Sequence, residues 1–258
     1  GIVAAVAGRN VVEILLEGLR RLEYRGYDSA GIALVDEEGS LFVEKKAGKL
    51  ANLTTALSDR TPHAAIGLAH TRWATHGRPN DLNAHPHVDC TGDITVIHNG
   101  IIENYATLKT KLQKDGHVIR TVTDTEVLVH LIEDIYDNAH VSLDEAVRLA
   151  LGEVIGAYAI VILSTEHPGE LICARKGSPI VVGVGKEKGE YFVASDATPI
   201  IEYTNNVVYL DDGELGVIRN GELTVKTIER WEILLDGQDP DQPVSTATAR
   251  ARRRSSLR

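Results

Sequence analysis

The sequence predicts an α+β fold in which helices cover antiparallel sheets. Short apolar segments bounded by turn residues follow one another at spacings of about 8–12 residues through much of the chain, which is typical of antiparallel strands. The helical patterns are grouped in the first half and do not alternate with every strand. These observations favour α+β layers over a doubly wound parallel sheet.

The N-terminal part of the chain is expected to combine strands with one amphipathic helix. Asn10 is a candidate N-cap of this helix, with Glu13 as the partner in a variant of the capping box. The apolar face of the helix continues until Gly26. Apolar runs predict strands on both sides of the helix, at 2–7, 31–38, 41–48, 65–71 and 93–99.

Three further helices are predicted at 104–115, 124–137 and 142–152, the last with a capping box formed by Ser142 and Glu145. Beyond them, short strands alternate with turn dipeptides such as Asn220–Gly221. The segment GVGKEKG at 183–189 is expected to be a hairpin and not a phosphate-binding loop. The polar change near residue 236 predicts one domain over 1–235 and a polar linker or disordered tail, rich in arginine, over 236–258.

Composition excludes several classes of protein. The chain has 258 residues and a net charge of −10, which argues against binding to nucleic acid because phosphate contacts need clustered Lys and Arg. No apolar run approaches the roughly 20 residues of a membrane span. Cys90 and Cys173 are too few to indicate a disulfide framework, so a cytoplasmic location is expected.

Four polar segments lie where predicted strands or helices meet loops, which is where functional sites are commonly held. They are EYRGYDSAG at 23–31, HTRWATHG at 70–77, HNGIIENY at 98–105 and TDTE at 123–126. Taken singly, each has a structural explanation. Arg72 and Trp73 could form a surface cation–π pair, Asn99–Gly100 could be a turn, and Asp124 could cap a helix.

A metal site is an alternative from another class. Half of the ten histidines are clustered, at 70, 76, 85, 87 and 98, but their spacing fits no standard ligand signature. In an extended AHPH segment, His85 and His87 would point to opposite sides. Neither cysteine is near an evident base, so both are interpreted as bystanders. The expectation is that the protein holds neither a metal nor a cofactor.

Six motifs taken in order resemble the glutamine amidotransferase domains of the glucosamine-6-phosphate synthase family. The motifs are the initial GIV, EYRGYDSAG, HTRWATHG, NAHPHVD, HNGIIENY and TDTEV. The resemblance runs from Gly1 to about residue 235. It implies the N-terminal nucleophile hydrolase fold, a four-layer α-β-β-α sandwich of two mainly antiparallel sheets.

The family's pattern begins Cys-Gly-Ile-Val, so the resemblance implies a nucleophilic cysteine immediately before Gly1. Three explanations stay open for that cysteine: it is modified, it is disordered or deleted, or the protein has lost it. A free α-amine, with an ordinary pKa of about 7.7–8.0, would supply the base on the same residue as the thiol. No histidine is then needed as a catalytic base.

The resemblance also assigns roles around the glutamine substrate. Asn99 and Gly100 would form the oxyanion hole, and Arg72 would bind the α-carboxylate. Asp124 would bind the α-ammonium group. The remaining residues that the resemblance implies are Thr75 and His76 in the carboxylate pocket, Trp73 in a loop that closes over glutamine, and Arg25 and His85 behind the groups that touch the substrate.

The expected function is hydrolysis of L-glutamine to L-glutamate and ammonia. In the family, a sugar-isomerase domain outside this sequence receives the ammonia and binds fructose 6-phosphate. A homodimer is left open. The alternative is a non-catalytic glutamine-binding regulatory module that has lost its nucleophile, and a metal-dependent hydrolase is a third hypothesis.

Overall fold

The computed structural model describes residues 1–58, 62–75 and 77–229. The predictions for His76 and for the tail at 236–258 lie outside the described residues, and the domain boundary at 235 stays a prediction. Within the described part of the chain, each helix is too short or too polar to cross a membrane.

The described residues form thirteen strands and five α-helices. The strands are Ile2–Val6 (β1), Ser29–Asp36 (β2), Leu41–Ala47 (β3), Ala64–Arg72 (β4), His87–Val88 (β5), Ile94–Ile102 (β6), Gly156–Ser164 (β7), Leu171–Lys176 (β8), Val181–Val184 (β9), Tyr191–Ala194 (β10), Val207–Tyr209 (β11), Glu214–Arg219 (β12) and Glu222–Thr227 (β13). The helices are Val12–Leu22 (α1), Leu50–Leu57 (α2), Tyr105–Lys114 (α3), Asp124–Ala139 (α4) and Leu143–Glu153 (α5).

The strands form two sheets in which all neighbours are antiparallel. The seven-stranded sheet has the order β11-β9-β10-β1-β4-β2-β3, and the six-stranded sheet has the order β13-β12-β8-β7-β6-β5. Strand β1 lies inside the larger sheet, where Val3 is opposite Ala194 of β10 and Ala69 of β4. The first residues of the chain are therefore fixed by strands from distant parts of the sequence.

Alternation along the strands explains why the two sheets stack. In β1, Val3 and Ala5 belong to the apolar cluster beneath α1 and α2, whereas Ile2 and Ala4 face the opposite sheet. Successive side chains of a strand point to opposite faces, so a strand covered on both sides is apolar throughout. The continuous run IVAAV is the sequence signature of such a strand.

The layers follow from these clusters. Helices α1 and α2 cover the outer face of the seven-stranded sheet, and α3, α4 and α5 cover the outer face of the six-stranded sheet. A third cluster fills the space between the sheets. The predicted four-layer α-β-β-α sandwich is thus confirmed.

Two predicted helix starts are wrong in detail. Helix α1 has Val11 at the N-cap position. The Asn10 side-chain carbonyl accepts hydrogen bonds from the backbone N–H groups of Val12 and Ala64, which ties the helix to the start of β4. Ser142 does precede α5, but its side chain makes no capping hydrogen bond, and Glu145 pairs with Arg148 instead.

The predicted hairpins are confirmed. Strands β9 and β10 pair across GVGKEKG, and β12 and β13 pair across Asn220–Gly221. Asn220 and Gly221 both have positive φ angles, 53° and 73°, as a two-residue type I′ turn requires. Helix α2 was not predicted, although Leu50, Leu53 and Leu57 are buried at helical spacing.

Candidate active site

A cavity of about 360 Å³ opens where strand ends and a helix start meet. The beginning of β1, the end of β4, part of β6 and the first turn of α4 contribute its walls. It brings together all the predicted site residues that the structure describes: Arg25, Arg72, Trp73, Thr75, His85, Asn99, Gly100 and Asp124.

The amino group of Gly1 lies in this cavity. It donates a hydrogen bond to the carbonyl of Thr71 at 2.6 Å and lies 3.5 Å from Asn99 Oδ1. Burial, assisted by the positive charge of Arg25, lowers the pKa of the Gly1 amine to about 5. In a chain that begins at Gly1, this amine is therefore neutral near pH 7.

The side chain of Asn99 is oriented by His70. His70 Nε2 lies 2.9 Å from Asn99 Oδ1. Burial holds the pKa of His70 well below its usual value, so the ring is neutral, and because the amide oxygen only accepts, Nε2 carries the proton. This hydrogen bond engages the carbonyl end of the Asn99 amide and leaves its NH₂ group to donate elsewhere.

Gly100 cannot be replaced without distortion. Its φ angle is +134°, and a Cβ atom built on it would lie 2.0 Å from the carbonyl oxygen of Ala157. Asn99 and Gly100 are opposite Ala159 and Tyr158 in the β6–β7 pair. The dipeptide lies within a strand, so the alternative interpretation as a turn is wrong.

Two opposite charges line the same cavity. Arg72 is the last residue of β4 and Asp124 is the first residue of α4, and both are buried. Burial lowers the pKa of Arg72, while the carboxylates of Asp28 and Asp124 oppose this shift. A buried guanidinium and a buried carboxylate together are the features needed to bind a zwitterionic amino acid.

Asp124 is not the cap of its helix, because Thr123 has that place and its hydroxyl accepts from the N–H of Glu126 at 3.3 Å. Asp124 instead accepts a hydrogen bond from the backbone N–H of Ile102 at 2.9 Å. That bond fixes one carboxylate oxygen. The alternative interpretation of Asp124 as an N-cap is therefore wrong.

A sequence profile described as glutamine amidotransferase domain matches residues 70–202, about half of the chain. The chain belongs to this family. The glutamine–fructose-6-phosphate aminotransferase (isomerizing) of Bacteroides thetaiotaomicron is 54% identical over 234 residues, which cover 90% of this chain and 38% of that protein. The enzyme of the same name from Chlorobaculum tepidum is 52% identical over 236 residues, with coverages of 90% and 38%.

A solved structure also resembles this glutamine amidotransferase domain. The glutamine phosphoribosylpyrophosphate amidotransferase from B. subtilis, complexed with ADP and GMP, superposes with a TM-score of 0.75 at 25% identity. The match covers 88% of this chain and 49% of that chain. The family and fold that the motifs predicted are confirmed, and the chain spans about two fifths of the length of the two curated relatives.

The loop after β4 is held by Asp28, a residue of the EYRGYDSAG motif to which the sequence assigned no role of its own. Asp28 accepts a hydrogen bond from the N–H of Ala74 at 2.5 Å, and its own N–H donates to the carbonyl of Arg72 at 2.8 Å. Trp73, 70% exposed, lies against Gly26, where an added Cβ would come within 2.8 Å of the ring. Asp28 thus anchors the segment that carries Arg72, Trp73 and Thr75.

Histidines pack behind the cavity. The Thr125 hydroxyl lies 2.8 Å from His85 Nε2 and 3.0 Å from His98 Nδ1. The rings of His85 and His87 lie 4.9 Å apart and not on opposite sides, as they would be in an extended segment. The reason is that residues 81–83 form a turn and residues 84–85 a bend, so the segment before His87 is not an extended strand. Burial lowers the pKa of His85 and of His98, which keeps both rings neutral.

The two cysteines have different surroundings. Cys173 is fully buried in the core, and burial raises its pKa to about 12, as expected of a bystander. Cys90 Sγ lies 3.4 Å from His130 Nδ1 and 3.7 Å from His117 Nδ1. The interpretation of Cys90 as remote from any base is therefore wrong, because α4 and the chain after α3 bring two imidazoles to it.

The sequence also missed Ser195, which follows β10 and lines the cavity. Its hydroxyl accepts a hydrogen bond from the N–H of Ile2 at 3.0 Å, and its own N–H donates to the carbonyl of Ile2 at 3.1 Å. Ser195 therefore helps to fix the start of β1. No motif marks this residue, since its role depends on the pairing of β1 with β10.

Proposed function

We propose that this domain hydrolyses the side-chain amide of L-glutamine to L-glutamate and ammonia. One observation carries the proposal: a single cavity presents the Gly1 nitrogen, an oriented amide donor, a guanidinium and a carboxylate. These groups match the reacting amide and the two charged α-substituents of glutamine. The membership of the family and the names of the relatives support the same activity.

The nucleophile in this proposal is a cysteine bonded to the Gly1 nitrogen. A residue attached there would stand within the cavity, beside Asn99. Its α-amine takes the thiol proton, and the thiolate attacks the carbonyl carbon of the glutamine side chain. The resulting oxyanion accepts hydrogen bonds from the Asn99 NH₂ and the Gly100 N–H. The amine then returns the proton to the leaving nitrogen, ammonia departs, and water cleaves the thioester to release glutamate.

Substrate selection is assigned to the two buried charges. Arg72 binds the α-carboxylate, with Thr75 and His76 completing that pocket, and Asp124 binds the α-ammonium group. A simple amide lacks both α-groups and would leave both buried charges unmatched. Trp73 closes over the bound substrate and excludes water from the reaction.

We further propose that the domain works within a longer cytoplasmic protein of the glutamine–fructose-6-phosphate aminotransferase type. The two relatives with that name are longer proteins, of which this chain covers 38%. A sugar-isomerase domain would bind fructose 6-phosphate and receive the ammonia. Because ammonium is not a nucleophile, ammonia must reach its acceptor before bulk water protonates it.

The test compares three forms of the domain: one with cysteine immediately before Gly1, one with alanine there, and one that begins at Gly1. Glutamate and ammonia are measured with glutamine as substrate. Only the cysteine form should turn over, and a thiol-alkylating glutamine analogue should label its N-terminal peptide. If the cysteine form binds glutamine by calorimetry without turnover, the non-catalytic binding module is correct and the proposal is wrong.

A further inference from the structure

Outside the cavity of the candidate active site, here called the glutamine cavity, four side chains of metal-ligating types converge on one point. They are Cys90 in the loop between β5 and β6, His117 after α3, and His130 and Glu133 on α4. His130 and Glu133 are three residues apart, which places them on the same face of the helix. Among the residues that the structure describes, this is the one group of three or more such side chains with converging ligand atoms.

Five of the six distances between the four ligand atoms are similar. Cys90 Sγ lies 3.7 Å from His117 Nδ1 and 3.4 Å from His130 Nδ1. The two Nδ1 atoms are 3.4 Å apart, and each lies 3.1 Å from Glu133 Oε2. Five of the six edges of a tetrahedron are thus 3.1–3.7 Å long.

These edges match a tetrahedral zinc site. With Zn–S near 2.3 Å and Zn–N near 2.0–2.1 Å, tetrahedral geometry places neighbouring ligand atoms about 3.3–3.6 Å apart. We propose that Cys90, His117, His130 and Glu133 bind a Zn²⁺ ion. Thiolate and imidazole ligands select zinc over magnesium and calcium, which prefer sites made of oxygen atoms.

The atoms around the four ligands have the arrangement that zinc sites require. His117 Nε2 faces Asp134 Oδ1 at 3.6 Å, and His130 Nε2 faces Glu126 Oε1 at 3.9 Å. A carboxylate on the Nε2 side of each imidazole favours a proton at Nε2, which leaves the Nδ1 lone pair for the metal. The N–H of Cys90 donates to both oxygens of Glu133, at 3.1 Å to Oε1 and 3.2 Å to Oε2, which holds this carboxylate beside the thiol.

Four protein ligands complete a tetrahedron, which indicates a structural ion and not a catalytic one. The ion would join the β5–β6 loop, the chain after α3, and α4. None of its four ligands lines the glutamine cavity. Because Asp124 begins the same helix that carries His130 and Glu133, the ion would hold that helix in the position from which Asp124 reaches the cavity.

The experiment measures metal content in the chain as it stands, without reference to activity. Protein expressed with zinc and exchanged into metal-free buffer is analysed by elemental mass spectrometry, and a sample reloaded with Co²⁺ is examined for a thiolate-to-cobalt charge-transfer band. We expect about one zinc ion per chain and a band typical of tetrahedral cobalt–thiolate coordination. Chelation should lower the Tm.

The variants separate ligation from folding. Cys90→Ser should lose the charge-transfer band and most of the zinc, whereas Cys173→Ala, which changes the other thiol, should keep both. Asp134→Asn should weaken zinc binding about 10- to 100-fold through His117. The proposal is overturned if the unmodified chain binds no stoichiometric zinc or cobalt, or if Cys90→Ser retains the same band. The result is independent of glutamine hydrolysis, so either proposal can fail alone.

Discussion

Replacement of Asn99 tests the assignment of the oxyanion hole. In the structure the Asn99 carbonyl oxygen accepts from His70 at 2.9 Å, which leaves the amide NH₂ as the donor. Loss of one such donor typically lowers turnover about 10²- to 10³-fold, or about 2.7–4 kcal/mol of transition-state stabilisation. Asn99→Ala in the cysteine-bearing domain should therefore reduce kcat by that factor. The KM for glutamine should change little, because the variant keeps Arg72 and Asp124, the proposed partners of the α-groups.

The variant Asn99→Asp controls for the hydrogen-bond acceptor of His70, which Asn99→Ala removes. Asn99→Ala deprives buried His70 of its acceptor, at a cost of about 1–3 kcal/mol of folding stability, whereas Asn99→Asp keeps an acceptor and lacks the NH₂. Steady-state release of ammonia and glutamate, with thermal unfolding in parallel, measures both effects. If either folded variant turns over within about threefold of the parent, or if only KM rises, the assignment is wrong.

Three other predictions concern the same cavity. Arg72→Lys should raise the KM for glutamine about 10- to 100-fold with a smaller change in kcat, because lysine cannot make the paired hydrogen bonds; equal kinetics would contradict the carboxylate role. Gly100→Ala should lower the free energy of unfolding by about 2–5 kcal/mol, because the new Cβ clashes with Ala157 and the φ angle is strained. The control is Gly8→Ala, whose Cβ meets no atom within 4 Å and which should change this free energy by less than about 1 kcal/mol. Denaturant titration measures both. In the chain that begins at Gly1, the amine has a folded pKa of about 5 against 8.0 unfolded, so the unfolded state binds more protons between these values. Its contribution to stability should be complete above pH 8 and fall by at most about 4 kcal/mol as the pH drops to 5; an NMR titration that returns the ordinary pKa would refute this.

The layered fold could be predicted because burial leaves a direct mark on the sequence. A strand covered on both faces must be apolar throughout, as in IVAAV, and hairpin turns need residues such as Asn220–Gly221. Helix α2 escaped prediction because it is only eight residues long and its N-cap, Lys49, makes no side-chain capping bond. The prediction of Asn10 as the N-cap could not take into account that its side chain also accepts a hydrogen bond from Ala64, a contact that only the fold creates.

The residues of the candidate site could be predicted where they belong to the motifs of the family. Arg72, Asn99 and Asp124 lie in three separate motifs, and the structure brings them to one cavity. The group around Cys90 was not predictable, because its ligands come from three elements and their spacing follows no short signature. These residues are separated in the sequence and come together only when the loop, the end of α3 and one face of α4 pack against one another.

The position of β1 inside the larger sheet has a consequence for synthesis on the ribosome. One of the two neighbours of Ile2–Val6, Tyr191–Ala194, is translated close to 190 residues after it. At about 5–20 residues per second, the opening segment waits roughly 10–40 s for that partner. The cavity that β1 helps to form is therefore not assembled on a nascent polypeptide until Tyr191–Ala194 has left the exit tunnel.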